Sequence, residues 1–104
     1  MKVIQQANCN NSPKNQTAAD MTYSILTYDK DNVNARFETG FDSLNLPDLS
    51  EVDEVVIVTA VSHGKSATSL SVYMKDDVSH YVGMFFEFTT HKAEAFKEII
   101  VTEG

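Results

Sequence analysis

Two side chains in this sequence are the strongest candidates for acid–base chemistry, His80 and Glu87. Both fall in the apolar segment 79–89, where either could exchange a proton with a bound substrate. Alternation along this segment puts His80 on the helix-facing side and Glu87 on the opposite side with Tyr81 and Phe85. Apolar surroundings would raise the pKa of a carboxyl group such as Glu87 and make it a usable acid. Each residue also has a plainer interpretation, His80 as a histidine at the edge of the core and Glu87 as an exposed partner of Lys75 or Lys97. The plainer interpretation is the one we expect for both.

A second set of residues could line an apolar ligand pocket, with a tyrosine hydroxyl orienting the ligand. The same residues could equally be core packing, and both interpretations stay open. The set consists of Met21, Tyr23, Phe37, Met74, Met84 and Phe86.

The remaining polar residues argue against other kinds of active site. His63 and His91 fall in turns, and Cys9 is the only cysteine and has no activating histidine nearby. The sequence has no phosphate-binding glycine loop, no nucleophile elbow and no spacing typical of metal ligands. We therefore expect no cofactor, no metal and, on balance, no catalysis.

Composition limits the class of protein and its partners. The chain has 104 residues, which predicts a single domain over 1–104, and its net charge is −7. A negative charge disfavours binding to nucleic acid or to an anionic membrane surface. No apolar run approaches the roughly 20 residues that span a membrane, and none at the start is typical of a signal peptide. A single cysteine suits a reducing compartment, so the expected location is cytoplasmic.

The first half of the sequence predicts helices. Residues 1–11 are polar and predict a loosely ordered lead-in. Ser12 followed by Pro13 is typical of a helix start and predicts a helix over 13–28, with apolar residues three and four apart. Asp31 is expected to cap a second, short helix.

The segment between that short helix and the strands is harder to interpret. Gly40 is the expected end of the second helix. Residues 41–51 carry three leucines and predict a packed loop, with a turn of helix after Pro47.

The second half predicts four strands joined by short polar turns, which forces neighbouring strands to run antiparallel. Helices followed by such a meander indicate an α+β domain with the helices on one face of the sheet. The four segments are 52–61, 66–75, 79–89 and 95–102.

The predicted strands also suggest a subunit interface. Both faces of 52–61 are apolar, with Val56, Val58 and Ala60 on one face and Ile57 and Val61 on the other. An antiparallel sheet with one face in water normally alternates apolar with polar residues. We therefore expect the outer face to be covered, and a homodimer formed through the sheet is the predicted partner arrangement.

The order of several short motifs resembles the nuclear-transport-factor-2-like superfamily, in its SnoaL-like, cystatin-type branch. The motifs are residues 8–14 before a helix, 28–33 before a second helix, 61–65 at a strand turn and 85–89 before the last strand. The resemblance implies a cone of helices wrapped by a curved four-stranded antiparallel sheet, often dimeric through the sheet, with a pocket between the layers.

The sequence departs from that family pattern in two places. Residues 39–51 are short for the family, so the third helix is expected to be reduced or missing. Met84 stands where relatives can carry an acid, which weakens the case for the family's acid–base chemistry. The resulting hypothesis is a non-catalytic domain that binds an apolar small molecule or acts as a dimeric interaction module. The alternative is a small lyase or isomerase that uses His80 or Glu87.

Overall fold

The computed structural model describes residues 1–6 and 12–104. Helix α1 spans Pro13–Leu26 and begins as the sequence predicts, because Ser12 Oγ accepts a hydrogen bond from the Asn15 N–H at 3.1 Å. It ends two residues before the predicted limit, and Tyr28 then reverses the chain with a φ of 59°. Cys9 lies outside the described residues.

Helix α2 spans Lys30–Arg36 and is capped by Asp29, whose side chain accepts from the Asn32 N–H at 3.3 Å. The prediction of Asp31 as the cap is wrong, because the chain reversal at Tyr28 makes Asp29 the first residue available to cap the new helix. Within residues 1–6 and 12–104, neither this helix nor any other is long and apolar enough to cross a membrane.

A short 3₁₀ helix follows at Phe41–Ser43, after Gly40, whose φ is 94°. It precedes Pro47, whereas the sequence predicted a helical turn after that proline. The loop is packed as expected, since Leu49 is buried.

The sheet has five strands in chain order, and it is mixed. The prediction of a four-stranded antiparallel sheet is therefore wrong, because the sheet has a fifth strand that pairs in parallel. The first strand lies in the segment interpreted as a lead-in, and it pairs in parallel with the second strand. Four residues are too few to show a hydrophobic period, so pairing supplied by the rest of the fold decides their structure. The strands are β1 Lys2–Gln5, β2 Glu54–His63, β3 Ser66–Lys75, β4 Val78–Phe88 and β5 Phe96–Glu103.

Two register irregularities change which residues share a face. The β2–β3 register shifts between Ile57 and Thr59, so Ile57 and Ala60 are both buried although the sequence put them on opposite faces. The β4–β5 register shifts beside Phe88, so Phe96 shares a face with Ile99 and not with Ile100. A bulge adds one residue to a strand and thereby reverses the alternation beyond it.

The hydrophobic core lies between the two helices and one face of the sheet, which we call the inner face. Aromatic rings fill one end of the core, with Phe96 lying 5.1 Å from Phe88 and 5.3 Å from Phe86 between ring centroids. From α1, Met21 and Ile25 are fully buried against the sheet. The α+β arrangement with helices on one side of the sheet is thus confirmed.

The middle of the core contains a short polar stripe from β3. Ser69 Oγ and Thr22 Oγ1 lie 2.7 Å apart, and Thr22 donates to the carbonyl of Ala18. Ser71 lies two positions further along the same face and is fully buried, but its Oγ has no hydrogen-bond partner among the described residues. A buried hydroxyl without a partner costs stability, whereas a paired one does not.

These two serines therefore predict opposite mutational effects. Ser71→Ala should leave the free energy of unfolding unchanged or raise it by about 1 kcal/mol, because it removes an unpaired hydroxyl. Ser69→Ala should lower it by about 1–2 kcal/mol, because it leaves Thr22 without its cross-layer partner. Urea denaturation of both variants beside the wild type measures the difference. Equal destabilisation by both would contradict the assignment.

Candidate functional site

The most distinctive surface of the molecule is the side of the sheet away from the helices, which we call the outer face. Three cross-strand rows form its centre: Val61, Thr68, Phe85 and Ile100, then Thr59, Leu70, Gly83 and Thr102, then Val56, Val72 and Tyr81. The exposed fraction is 37% for Leu70, 48% for Tyr81, 49% for Phe85 and 47% for Ile100. Monomeric proteins rarely expose apolar side chains as one contiguous patch of this kind.

Phe85 is the central aromatic residue of the outer face, and its ring lies beside Gly83. A Cβ atom at Gly83 would stand 3.8 Å from the Phe85 ring, which is an ordinary contact, and 3.1 Å from Thr102 Oγ1, which is a tight one. Because Gly83 has no side chain, the centre of the outer face is flat there, and another flat surface can approach it closely.

Charged side chains are confined to the two ends of the outer face. At one end Glu87 pairs with Lys97, at 3.3 Å between Nζ and Oε2, and Glu98 lies opposite Glu87. At the other end Lys2 lies opposite Glu54. An apolar centre with a polar rim is the usual anatomy of a protein–protein interface.

The two candidate acid–base residues do not come together. His80 lies on the inner face, as predicted, and its ring stacks on Tyr73 with centroids 5.1 Å apart. Glu87 lies on the outer face and forms an ion pair with Lys97. This contact matches the plainer of the two interpretations of Glu87. A sheet separates them, so they cannot act together on one substrate.

The six residues predicted to line a pocket are likewise divided among separate environments. Met21 and Met84 are fully buried, and Phe37 and Phe86 also belong to the core. Tyr23 is exposed on α1, and the exposed Met74 points away from the core. They do not surround one hollow, and their role in ligand binding stays a prediction.

A polar contact on the inner face, at one end of the sheet, was not predicted from the sequence. The Tyr73 hydroxyl donates to the Glu103 carboxylate, which reaches it from β5 across β4. Burial, together with the negative Glu103, raises the pKa of Tyr73 to about 12. Tyr73 lies on the buried face of β3, and no sequence signal connects it to a residue thirty positions away.

Comparisons with known proteins assign no family to the chain. No family model, curated protein or solved structure matches it. In the part of the chain that the structure describes, no group of three or more His, Cys, Asp or Glu side chains is arranged to hold a metal ion.

The raised pKa of Tyr73 predicts a loss of stability at high pH. A phenol ionises near pH 10 in the unfolded chain but near 12 in the folded one, so the folded state holds the proton more tightly. The stabilisation is complete below pH 10 and is lost as the pH rises towards 12.

Chemical denaturation between pH 8 and 12 checks this dependence. Tyr73→Phe should flatten the decline that begins near pH 10, and Tyr23→Phe, which changes an exposed tyrosine of α1, should retain it. A decline of equal steepness in both variants would rule out Tyr73 as its source.

Proposed function

We propose that this domain is a non-catalytic interaction module that forms a homodimer through its outer face. The observation that carries the proposal is the contiguous apolar centre formed by Leu70, Tyr81, Phe85 and Ile100, which nothing in the chain covers among the described residues. Burial of exposed apolar area is the main favourable term in most protein association. A second copy of the chain supplies a surface of the same size and chemistry.

The size of the outer face supports a dimer. Strands of 4, 10, 10, 11 and 8 residues, at about 3.3 Å per residue and about 4.8 Å between strands, give a footprint of about 700 Å². A standard stable interface buries about 800 Å² on each partner. The face is therefore close to the size of a standard interface, although only its centre is strongly apolar.

The distribution of charge favours a second copy over a strongly basic or acidic partner. The three central rows contain no charged side chain, so two such centres can meet without burying an unpaired charge. The net charge of −7 weakens association through long-range repulsion, but salt screens that repulsion over about 8–10 Å. A two-fold arrangement pairs the patch with itself.

We also propose that the chain is related to the nuclear-transport-factor-2-like superfamily and shares its conical sheet. Two helices that precede a meander and cover one face of the sheet support it, as does the apolar outer face. The parallel β1 is a difference from the implied pattern. Glu87 is paired with Lys97 and the His80 ring is stacked on Tyr73, which favours the non-catalytic interpretation. The single cysteine favours the cytoplasm as the location.

Substitution at the centre of the outer face tests the dimer. Analytical ultracentrifugation of the wild type at micromolar concentration should give twice the chain mass of 11.6 kDa. Phe85→Lys should weaken dimerisation by about a hundredfold or more, because it replaces a central aromatic ring by a charge that would be buried. Its melting temperature should stay close to that of the wild type, since the Phe85 side chain is half-exposed in the monomer.

Tyr23→Lys is the matched control, because Tyr23 is 42% exposed but lies on α1. Both variants lower the net negative charge by one, which by itself favours self-association, so repulsion cannot explain a loss confined to Phe85→Lys. A wild type that stays monomeric at 100 μM would refute the proposal. A Phe85→Lys variant that dimerises as strongly as the control would also refute the proposal. That result is expected if two copies pair along the edge of β5 instead of through the outer face.

A further inference from the structure

The two central strands of the outer face, β3 and β4, carry large and small side chains in an alternating order. Each of four successive cross-strand rows pairs one larger outward side chain with one smaller one, and the larger one changes strand from each row to the next. The surface along these two strands is therefore a series of raised and low points. The four rows are Thr68 with Phe85, Leu70 with Gly83, Val72 with Tyr81 and Met74 with Ser79.

Two of the smaller residues mark clear low points. Gly83 raises no side chain above the sheet, and the space over it is bordered by the Phe85 ring and Thr102. Thr68 borders two shallow hollows, one of about 220 Å³ over β3, β4 and β5 and one of about 160 Å³ over β2 and β3. Beside these low points Leu70 and Phe85 are exposed. Exposed side chains next to low points are what two sheet faces need in order to interdigitate.

Two copies of the outer face can meet in only a few ways. In aligned packing, the strands of the two sheets stay within about 30° of each other. A closed dimer has a two-fold axis, and when two faces meet, that axis lies in the plane between them. The axis of an aligned dimer therefore runs either across the strands or along them.

An axis across the strands does not suit the alternation. Each strand then lies over the same strand of the other copy with its ends exchanged. With that axis at the middle row of the apolar centre, Leu70 faces Leu70, Gly83 faces Gly83 and the Phe85 ring faces Tyr81. Two leucines then compete for one space beside a gap, and both overpacking and voids cost stability. An axis along β3 or along β4 repeats the fault, with Leu70 over Leu70 in one case and Gly83 over Gly83 in the other.

An axis along the strands and midway between β3 and β4 suits the alternation in every row. It places β3 of one copy over β4 of the other without exchanging the ends. Leu70 then lies over Gly83, and the Phe85 ring lies over Thr68 and its hollows. Because the larger side chain of each row meets the smaller side chain of the same row, the two faces can reach the density of a packed interior.

The polar row at one end of the face is compatible with the same axis. That row continues across four strands as His63, Ser66, Glu87 and Glu98. The axis places β2 over β5, so Glu98 lies over His63 and Glu87 lies over Ser66. The same ends of the two copies therefore meet without a carboxylate of this row facing another carboxylate, a contact that would cost affinity.

We propose that the partner of the outer face is a second copy in this one orientation, with the two-fold axis along the strands between β3 and β4. Leu70 of each copy fills the space over Gly83 of the other, and Phe85 of each copy covers Thr68 of the other. The inference rests on the proposed function and adds to it the side chains that determine the fit. An apolar surface without this alternation does not match the face row by row, so the pattern favours self-recognition.

Mixing variants of opposite charge tests the orientation. Phe85→Lys is mixed with Thr68→Glu and, separately, with Tyr81→Glu, at about 150 mM salt. In the proposed dimer the first pair is in contact, so the first mixture should dimerise about tenfold or more tightly than either variant alone. Tyr81 lies four residues from Phe85 on β4, which is about 13 Å along the strand, so the second mixture should stay as monomeric as its components. Analytical ultracentrifugation measures the dimer in both mixtures.

The two mixtures are matched, since Thr68→Glu and Tyr81→Glu each add one negative charge to the outer face. Rescue only with Tyr81→Glu would indicate an axis across the strands and would overturn the proposal. Rescue in both mixtures would indicate diffuse charge attraction, and rescue in neither would indicate another register; each of these results overturns it as well. The dimer itself is tested before mixing, because a monomeric wild type or a dimeric Phe85→Lys variant refutes the proposed function.

The exchanged pair keeps the test valid if Thr68→Glu does not fold. Phe85→Glu mixed with Thr68→Lys forms the same ion pair with its charges reversed, and it should restore the dimer to a similar extent. Thermal melting of each variant alone, followed by circular dichroism, establishes that the fold is intact. Folded variants that stay monomeric in this mixture would contradict the proposed contact between positions 68 and 85.

Discussion

The structure depends on one constraint, which is that a single layer of helices must bury one face of a five-stranded sheet. The α1 helix supplies most of that layer, with Met21 and Ile25 fully buried against the inner face. Two helices of 14 and 7 residues can cover only one side of the sheet, so the other side meets solvent or a partner. The apolar centre of the outer face is therefore the feature that most needs an explanation.

The same constraint explains the unequal distribution of polar groups. Two polar side chains of the inner face are paired by a partner from another element, since Thr22 reaches Ser69 and Glu103 reaches Tyr73. Ser71 has no such partner among the described residues, which makes it the point where the core departs from full pairing.

Sequence patterns predicted the elements well where local chemistry decides them. The Ser12 cap, the β3 limits and the alternation of β4 are all as expected, because a capping side chain and a strict two-residue period each determine their own structure. The short β1 and the register shifts in β2 and β5 were not predictable, since they depend on pairing between distant segments. The cap at Asp29 depended on how α1 ends, which the helical pattern did not show.

The candidate surfaces were predictable to different degrees for the same reason. Alternation along β4 put Tyr81 and Phe85 on one face and His80 on the other, and the structure agrees, so the outer face was visible in the sequence. The contact of Tyr73 with Glu103 was not, because the two residues are thirty positions apart in the chain and only the fold brings them together. Contacts between distant strands need the tertiary structure, whereas the face of a single strand does not.

An exposed apolar sheet also brings a risk of aggregation, and the charges at its ends limit that risk. Lys97 and Glu98 lie on the edge strand β5, and Lys2 begins the short edge strand β1, where charged side chains oppose uncontrolled pairing of strand edges. The centre of the face has no such protection. This contrast between charged edges and an uncharged centre is the arrangement expected of the proposed two-fold dimer, in which the faces meet and the strand edges stay in solvent.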